Sequence, residues 1–489
     1  MKENWRFFLR IASGPFVFLA VFLISLEGLS YNGQVALGTF AWAVVWWIAR
    51  PVPWGITSLL LLVIFPVFGV MSVRSATSLY GQRIFFWLLG ITMLGYALEK
   101  HGLAKRVALL FLKIRGVANS TRVLTFVYML VVALISMFIS DAGVVAMMMP
   151  IGMSLFAYIS RVGGITQEGG RKSPLASFLA LGTLYAAIAG GVATIAGLPH
   201  NAVGVALADS LAGEHISWFR WMKVGFPLSM AMLVAFYSLL RYFFPPEISS
   251  IPGGRQFIEG ELRKLGKMTR AEVNVLLSFL FMVLLFTLPP LISLALGAED
   301  PFATRLRGAL SIWVVPPATL FVLFLLPVDS ARGEGTLSWR DVVERAPWNI
   351  IFLCTGAVGM SEALTKFGVL ELLKDFVGSL GIGGGALPFV AAGSIVVGTN
   401  LFSGVAAATL FCNIFIPSAV ELGLNPVSIA ILIPNLAVGF IFPWAGANAG
   451  TAFASGYLDM KEMIKVGMVA TLVILLIAVG IHLLMAPVL

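Results

Sequence analysis

Apolar runs of bilayer-crossing length recur along the whole chain. Nine of them fall at roughly 11–30, 33–50, 54–71, 83–100, 222–245, 273–297, 308–328, 347–366 and 463–488, and four longer ones at 122–160, 175–208, 385–420 and 426–457. A helix needs about 20 apolar residues to cross the hydrocarbon layer of a membrane. Because 59% of the residues are hydrophobic and only 11% are charged, a soluble core could not bury this much apolar surface. The sequence therefore predicts an all-α polytopic membrane protein.

Cysteine usage and charge exclude several classes of protein. The two cysteines, Cys354 and Cys412, both lie within apolar runs, so we expect neither a disulfide framework nor a transition-metal cluster. The net charge of +9 comes from basic residues between the runs and not from a basic domain, so nucleic acid is not an expected partner. The N-terminal run lacks a cleavage site followed by a soluble body, and we expect it to be a retained first span.

The distribution of basic residues predicts an orientation. With the N-terminus inside, and with 122–160 and 385–420 entering and leaving on one side as re-entrant hairpins, inner segments hold 24 of the 32 basic residues and outer segments hold 8. Positive charge accumulates on the cytoplasmic side, so this arrangement is favoured. It gives eleven transmembrane helices, a cytoplasmic N-terminus and an outer C-terminus. An odd number fits one leading helix followed by two five-helix halves of opposite topology.

A weak internal repeat supports two such halves. The segment Gly90–Gly102 aligns without gaps on Gly356–Gly368, and the Gly, Ala-Leu, Lys and Gly positions coincide. About 40 residues after each segment comes a serine in an apolar run, Ser140 or Ser403. An apolar run interrupted by glycine and proline follows each serine. Inverted repeats with interrupted helices at matching places are typical of secondary transporters with a site near the membrane midplane.

Asp141 stands out within the first predicted hairpin. It lies between the apolar runs Leu130–Ile139 and Val144–Ile151, each too short to cross a bilayer alone, so we expect it at a hairpin tip. A carboxylate at membrane depth is costly and usually functional, which predicts cation binding or proton carriage. The alternative is that Asp141 only caps the N-terminus of a hairpin helix.

Three segments outside the hairpins resemble the divalent anion:sodium symporter family, which comprises dicarboxylate, citrate and sulfate carriers. Glu261–Glu272 is similar to the family's cytoplasmic loop before its seventh helix. Ala193–Asn201 is similar to the motif of its first broken helix, and Phe453–Gly467 to the segment closing its last helix pair. The resemblance runs in order along nearly the whole chain.

The resemblance implies where the site residues lie. In the family, two Ser-Asn-Thr tips and two broken helices hold the substrate's carboxylates and two sodium ions. Here the tips are Ser140-Asp141-Ala142 and Ser403-Gly404-Val405, and the second Thr-Pro-Pro-Asn motif is replaced by Gly446-Ala447-Asn448-Ala449. The implied substrate-binding residues are Ser140, Asp141, Ala142, Leu198, Pro199, His200, Asn201, Ser403, Gly404, Val405, Gly446 and Ala447. The implied first sodium site uses Ser136, Ser140, Asp141 and Gly197, and a weak or absent second one uses Thr399, Gly404, Ala445 and a carbonyl near Phe402.

Together these features predict a carrier of a small carboxylate or inorganic anion coupled to sodium or protons. Small, apolar tip residues favour a substrate with an apolar part, such as a monocarboxylate. The family implies an inner-membrane homodimer with an elevator motion and no bound cofactor. It also implies a scaffold formed by 1–118 and 221–375 and a transport domain formed by 119–220 and 376–489.

Three alternatives to this function differ in what they require. A sodium/proton antiporter using Asp141 remains open, because it needs no organic substrate. An enzyme is disfavoured, since no histidine lies within a predicted tip beside Ser140 or Ser403. A channel is also disfavoured, because no selectivity filter is evident.

Overall fold

The computed structural model describes residues 2–24, 26, 28–165, 173–297, 299–329, 333–401, 403–439 and 441–489. Within these ranges the regular structure is α-helical apart from a 3-10 helix at Ala486–Val488 and one two-stranded sheet, in which Pro327–Asp329 (β1) pairs antiparallel with Glu334–Gly335 (β2). Phe402, named above for the second sodium site, lies outside the described residues, as do Arg171, Lys172 and Arg332, which were counted among the inner basic residues.

The helices of the first half end before residues 247–272, which the orientation above predicts to be a cytoplasmic loop. They are Lys2–Leu23 (α1), Tyr31–Ala49 (α2), Trp54–Ser58 (α3), Leu60–Val67 (α4), Val73–Ser78 (α5), Arg83–Lys100 (α6), Leu103–Leu112 (α7), Thr121–Ser136 (α8), Asp141–Gly163 (α9), Pro174–Gly191 (α10), Pro199–Ala212 (α11) and Trp218–Phe243 (α12).

The helices of the second half begin with the short helix in that loop. They are Gly254–Lys264 (α13), Arg270–Leu296 (α14), Pro301–Ala309 (α15), Val315–Leu325 (α16), Trp339–Arg345 (α17), Trp348–Lys366 (α18), Val369–Ser379 (α19), Leu387–Leu401 (α20), Gly404–Glu421 (α21), Pro426–Leu436 (α22), Ala447–Ala454 (α23) and Met460–Met485 (α24).

Seven stretches of helix in the described part of the chain are long and apolar enough to cross a membrane. They are Trp5–Leu23, Asp141–Gly163, Pro174–Gly191, Trp218–Phe243, Arg270–Leu296, Gly404–Glu421 and Met460–Val488. The polytopic membrane class is thus supported, whereas the finer division into eleven crossings and two hairpins stays a prediction. One expectation was wrong: α9 has 23 residues, about 34 Å at 1.5 Å per residue, so it is not too short to cross a bilayer.

The helices of the two halves pack on each other reciprocally. α6 packs on α16, and α18 packs on α3. In the same way, α11 lies on both α21 and α22, whereas α23 lies on both α9 and α10. The two glycines aligned in the sequence repeat sit at equivalent contacts. A Cβ on Gly90 would lie 2.4 Å from the backbone of Pro316, and a Cβ on Gly356 would lie 2.5 Å from Cβ of Ser58. Glycine at both positions allows these close helix crossings.

Each half contains an interrupted helix. Residues 192–198 lie between α10 and α11, and the described residues 437–439 and 441–446 lie between α22 and α23; neither set forms a helix or a strand. The predicted interruptions are confirmed, but their extent differs. Pro199, His200 and Asn201 already form the first turn of α11, because proline at the first helical position has a suitable φ and no N–H to satisfy.

A buried ion pair fixes the loop before α14. The Arg106 side chain donates from Nε to Glu272 Oε1 at 2.6 Å and from Nη2 to Oε2 at 3.1 Å, and it also binds the Leu265, Gly266 and Lys267 carbonyls. Glu272 completes a capping box with Thr269 at the start of α14. This ties the segment that resembles the family's loop to α7.

A second ion pair joins the end of α6 to α17. Lys100 Nζ donates to both carboxylate oxygens of Asp341, at 2.9 and 2.8 Å, and Ser338 donates to it through its backbone N–H and its hydroxyl. Burial alone would raise the pKa of Asp341, but these donors outweigh it and lower the pKa to about 2. The carboxylate is therefore held ionised.

Candidate functional site

Asp141 lies at the first position of α9, directly after the residue that caps this helix. Ser140 is the N-cap, and Asp141 Oδ1 accepts the Ala142 N–H at 2.8 Å and the Ser140 hydroxyl at 3.4 Å. The first N–H groups of a helix lack intrahelical partners, so an acidic side chain here is locally stabilised. Capping of the α9 N-terminus, the alternative considered above, thus explains the hydrogen bonds of one Asp141 oxygen, Oδ1.

The other oxygen of Asp141 reaches the opposite half of the chain. Asn448, in the first turn of α23, donates from Nδ2 to Asp141 Oδ2 at 2.5 Å across a sequence separation of 307 residues. The side-chain oxygen of Asn448, Oδ1, accepts the Ala449 N–H at 2.8 Å, which fixes the orientation of the side-chain amide. The first tip and the second interrupted helix are therefore joined by a direct hydrogen bond. Sequence reasoning did not include Asn448 in the site, although its place within the second interruption was a signal.

The first interruption is closely packed against the end of α8. A Cβ on Gly197 would lie 2.4 Å from the Gly191 carbonyl oxygen and 2.7 Å from the Ser136 carbonyl oxygen, so two acceptors converge on this glycine. The Ser136 hydroxyl donates to the Ala187 carbonyl at 2.6 Å, and Thr194 donates to the Met137 carbonyl. These bonds use hydroxyl hydrogens and leave oxygen lone pairs in a buried, acceptor-rich place, which is what a sodium ion requires.

Asn201 and His200 are both buried in the first turn of α11. Asn201 Nδ2 donates to the Gly191 carbonyl at 3.0 Å and to the Thr194 carbonyl at 2.9 Å, while its Oδ1 is buried without a hydrogen-bond partner. His200 Nε2 is likewise buried without a partner. Leu198 caps the helix in extended conformation and is fully buried, and Pro199 is half-buried. Two unpartnered polar atoms therefore lie beside the interruption.

The second interruption gathers acceptors around the end of α20. A Cβ on Gly404 would lie 2.2 Å from the Ala437 carbonyl oxygen and 3.4 Å from the Thr399 hydroxyl oxygen, and a Cβ on Gly439 would lie 3.3 Å from the Thr399 carbonyl oxygen and 2.4 Å from Ala445 Cβ. The Thr399 hydroxyl is buried without a partner. This cluster parallels the one around Gly197, with Thr399 in the position of Ser136.

Two amides, Asn400 and Asn413, lie near the second tip in sequence, and either could replace the amide that the family resemblance implies there. Asn400 accepts the Ile441 N–H at 3.3 Å and so links the end of α20 to the second interruption. Asn413 instead accepts the Ser361 hydroxyl at 2.6 Å inside the helix packing. Of these two amides, Asn400 is therefore the one beside the second interruption.

The remaining predicted residues lie at the N-termini of α21 and α23. Ser403 is the N-cap of α21 and is buried with Val405, whereas Gly446 is the N-cap of α23 and Ala447 is exposed. An aromatic pair in the second interruption was not predicted from the sequence. Phe442 and Trp444 stack with ring centroids 4.7 Å apart and planes 8° apart, and Trp444 is 54% exposed. Small and apolar groups thus dominate this side of the site.

Helix α6 contacts the first tip from outside the cluster. A Cβ on Gly95 would lie 3.9 Å from Ile139 Cβ, and a Cβ on Gly143 would lie 4.0 Å from Glu99 Oε2. The tip therefore rests against the last two turns of α6, near the end predicted to face the cytoplasm.

Comparison with known proteins agrees with this architecture. The family described as sodium:sulfate symporter transmembrane region matches residues 1–489. The sodium-dependent dicarboxylate transporter SdcS of Staphylococcus saprophyticus is 27% identical over 486 residues, covering 97% of this chain and 91% of that protein. SdcS of Staphylococcus aureus strain NCTC 8325 is 26% identical over 476 residues, covering 95% and 89%.

One solved structure supports the fold. The YdaH transporter of Alcanivorax borkumensis has a TM-score of 0.52 and 13% identity, with 99% of this chain and 97% of that chain covered. The family and the relatives above are transporters, not enzymes. Since the family match covers the whole chain, this protein belongs to the sodium:sulfate symporter family, in agreement with the resemblance to the divalent anion:sodium symporters.

Proposed function

We propose that this protein is a sodium-coupled secondary transporter of a small organic anion that carries a carboxylate. The hydrogen bond between Asp141 and Asn448 is the observation that carries the proposal. It joins the first tip to the second interrupted helix, as expected where two halves of a transporter enclose one site. The curated relatives are named as sodium-dependent dicarboxylate transporters, which favours sodium as the coupling ion.

The first cation site lies beside the Asp141 carboxylate in this proposal. Ser136, Ser140 and the carbonyls packed around Gly197 supply neutral oxygens, and Asp141 supplies the charge that an amide would lack. A carboxylate raises cation affinity, so Asp141 would make sodium bind more tightly or allow a proton to replace it. The second cluster offers the Thr399 hydroxyl and carbonyls near Gly404 and Ala445, but no carboxylate. We propose that it binds sodium weakly or not at all.

The anionic substrate would bind between the helix N-termini at the two tips. The first turns of α9 and α21 present backbone N–H groups and the positive ends of helix dipoles, and the Ser140 and Ser403 hydroxyls flank them. An ionised Asp141 would repel a carboxylate unless a cation lies between the two. The apolar Val405 and the stacked Phe442 and Trp444 favour a substrate with an apolar part, such as a monocarboxylate.

The transport cycle we propose is an elevator motion within a homodimer in the inner membrane. The scaffold comprises 1–118 and 221–375, and the transport domain comprises 119–220 and 376–489, with eleven crossings and two re-entrant hairpins. The reciprocal packing of the two halves supports inverted repeats. The contact of Gly95 with Ile139 supports a state in which the transport domain lies toward the cytoplasm.

Uptake by proteoliposomes under an inward sodium gradient tests this function. The substrate panel would include monocarboxylates with apolar chains, dicarboxylates, citrate and sulfate, each measured again with sodium replaced by choline. We expect sodium-dependent uptake of at least one carboxylate. Absence of sodium-stimulated uptake for every carboxylate, with a reconstituted SdcS relative active in parallel, would contradict the proposal.

A second candidate is sodium/proton antiport by the same carboxylate. The partners of Asp141 in the described part of the chain are an amide, a hydroxyl and a backbone N–H, so no cationic side chain there holds it ionised. Such a carboxylate can exchange a proton for sodium. A sodium pulse applied to vesicles without any organic substrate distinguishes the two, because only the antiporter would move the internal pH.

A further inference from the structure

An ion pair joins the end of α11 to the start of α6, and it crosses the boundary between the two domains proposed above. Asp209, in the last turn of α11, pairs with the Arg83 guanidinium, and its side chain is only 15% exposed. In the proposed division, α6 belongs to the scaffold and α11 to the transport domain. An elevator motion slides these two helices past each other, so this pair has to break in every cycle.

Neither charge of the pair stands where its own helix favours it. Arg83 is the first residue of α6, and Asp209 lies in the last turn of α11. The helix dipole favours acidic side chains in the first turn and basic side chains in the last turn, which is the opposite of what is found here. The two residues are therefore placed for each other and not for the stability of their own helices.

Each partner also has a neighbour within its own domain. The Arg83 guanidinium lies 4.8 Å from the Trp313 ring centroid, and the Glu362 carboxylate on α18 is close enough to attract it electrostatically. The other oxygen of Asp209, Oδ1, lies 2.5 Å from Nδ1 of His215. Since Trp313 and Glu362 belong to the scaffold and His215 to the transport domain, separation of the pair leaves neither charge isolated. An isolated charge is the main cost of breaking an ion pair that is shielded from water.

We propose that Arg83 and Asp209 form a latch that holds the transport domain in the present state, and that Glu362 becomes the partner of Arg83 when the domain moves. The latch lies at helix ends predicted to face outward, whereas the first tip rests on the last two turns of α6, at its predicted inner end. Both contacts therefore stabilise one state, with the transport domain toward the cytoplasm. This inference rests on the proposed elevator motion, and its test separates failure of the latch from failure of the motion.

Distances between spin labels on the two domains measure the populations of the two states. The labels are attached through Val162→Cys, at the end of α9, and Val343→Cys, on α17, because both side chains are exposed and lie in different domains. Both native cysteines are replaced, and the full chain is studied in nanodiscs in choline chloride. An excess of unlabelled protein removes distances between copies. We expect two distance populations, of which one matches the present structure.

Asp209→Asn and Glu362→Gln should change the ratio of the two populations in opposite directions. Loss of the Asp209 charge should lower the population of the present state about threefold relative to the other state, a factor typical of partly exposed ion pairs. Loss of the Glu362 charge should raise it by about the same factor. In the Arg83→Gln background, each change should shift the ratio by less than about 1.5-fold, because the common partner is gone.

Arg255→Gln is the matched control, because it breaks a similarly exposed ion pair with Glu259 that lies within α13 and crosses no domain boundary. It should leave the ratio unchanged. A single population in the wild type and in every variant would overturn the elevator motion and the latch with it. Two populations whose ratio Asp209→Asn or Glu362→Gln leaves unchanged, or which both shift in the same direction, would overturn the latch alone.

Discussion

Replacing Gly197 with alanine tests the packing of the first interruption against α8. The added Cβ would lie 2.4 Å from the Gly191 carbonyl oxygen, 2.5 Å from Gly191 Cα and 2.7 Å from the Ser136 carbonyl oxygen. All three neighbours are backbone atoms, so no flexible side chain can give way. Restoring an ordinary contact of about 3.4 Å requires residue 197 to move away from the Gly191 and Ser136 backbones by roughly 1 Å. Overpacking of this kind costs about 1–3 kcal/mol.

The same displacement would open the proposed cation site. The Gly191 and Ser136 carbonyls would move apart, so sodium would lose ligands while Asp141 remained in place. We expect the variant to lose about 2 kcal/mol of stability and to need about tenfold or more sodium for half-maximal uptake, since 1.4 kcal/mol corresponds to a factor of ten. Sodium should also protect the variant less against heat than it protects the wild type.

Thermal unfolding in sodium chloride and in choline chloride at equal ionic strength measures both effects. Gly480→Ala is the matched control, because Gly480 lies within α24 and has no heavy atom within 4 Å of the place of its Cβ. That change should be neutral or stabilising, as alanine is favoured over glycine in a helix interior. If Gly197→Ala unfolds like the wild type and keeps the same sodium effect, the packing argument is wrong.

Three further predictions concern other contacts of the structure. Arg106→Gln should lower stability by about 3–5 kcal/mol, because it leaves the buried Glu272 carboxylate without its ion-pair partner; thermal unfolding measures this, and a loss below about 1 kcal/mol would argue against it. Because the pKa of Asp341 is lowered, its carboxylate contributes about 1–2 kcal/mol to the stability of the fold after solvent screening. This contribution is present above the usual pKa of 3.8 and is lost as pH falls toward 2. Asp341→Asn should therefore make thermal unfolding less sensitive to acid, and an unchanged dependence of unfolding on pH would refute this. Gly95→Cys and Ile139→Cys together, with both native cysteines replaced, should form a disulfide, because the two Cβ positions lie 3.9 Å apart. Oxidation should then stop uptake, and reduction should restore it. Uptake by the fully cross-linked protein would contradict the elevator motion.

Much of the fold could be predicted from sequence because each signal was local. Apolar runs indicate membrane helices, and glycine and proline mark the interruptions after Gly191 and Leu436 that the structure contains. Helix boundaries were less predictable. Polar residues such as Ser140 and Asp141 resemble a loop in sequence, yet Asp141 begins a 23-residue helix because its side chain satisfies a free N–H group of the first turn.

The pairings between distant residues could not be predicted. Asp141 and Asn448 meet only because α23 packs on α9 and α10, and no local pattern encodes that contact. The stacking of Phe442 and Trp444 depends on the path of the backbone through the second interruption, which their positions in the sequence do not indicate.

The most direct test of the central claim is sodium- and pH-dependent uptake by Asp141→Asn proteoliposomes. Asparagine keeps the size of the side chain, and its one oxygen can still accept the Asn448 amide N–H, at the loss of the bond from the Ala142 N–H. It removes the negative charge that we propose couples the cation to transport. We predict a large rise in the sodium concentration for half-maximal uptake and the loss of any pH dependence that this carboxylate confers. Uptake with the wild-type dependence on sodium and pH would contradict the proposal that Asp141 is the coupling residue.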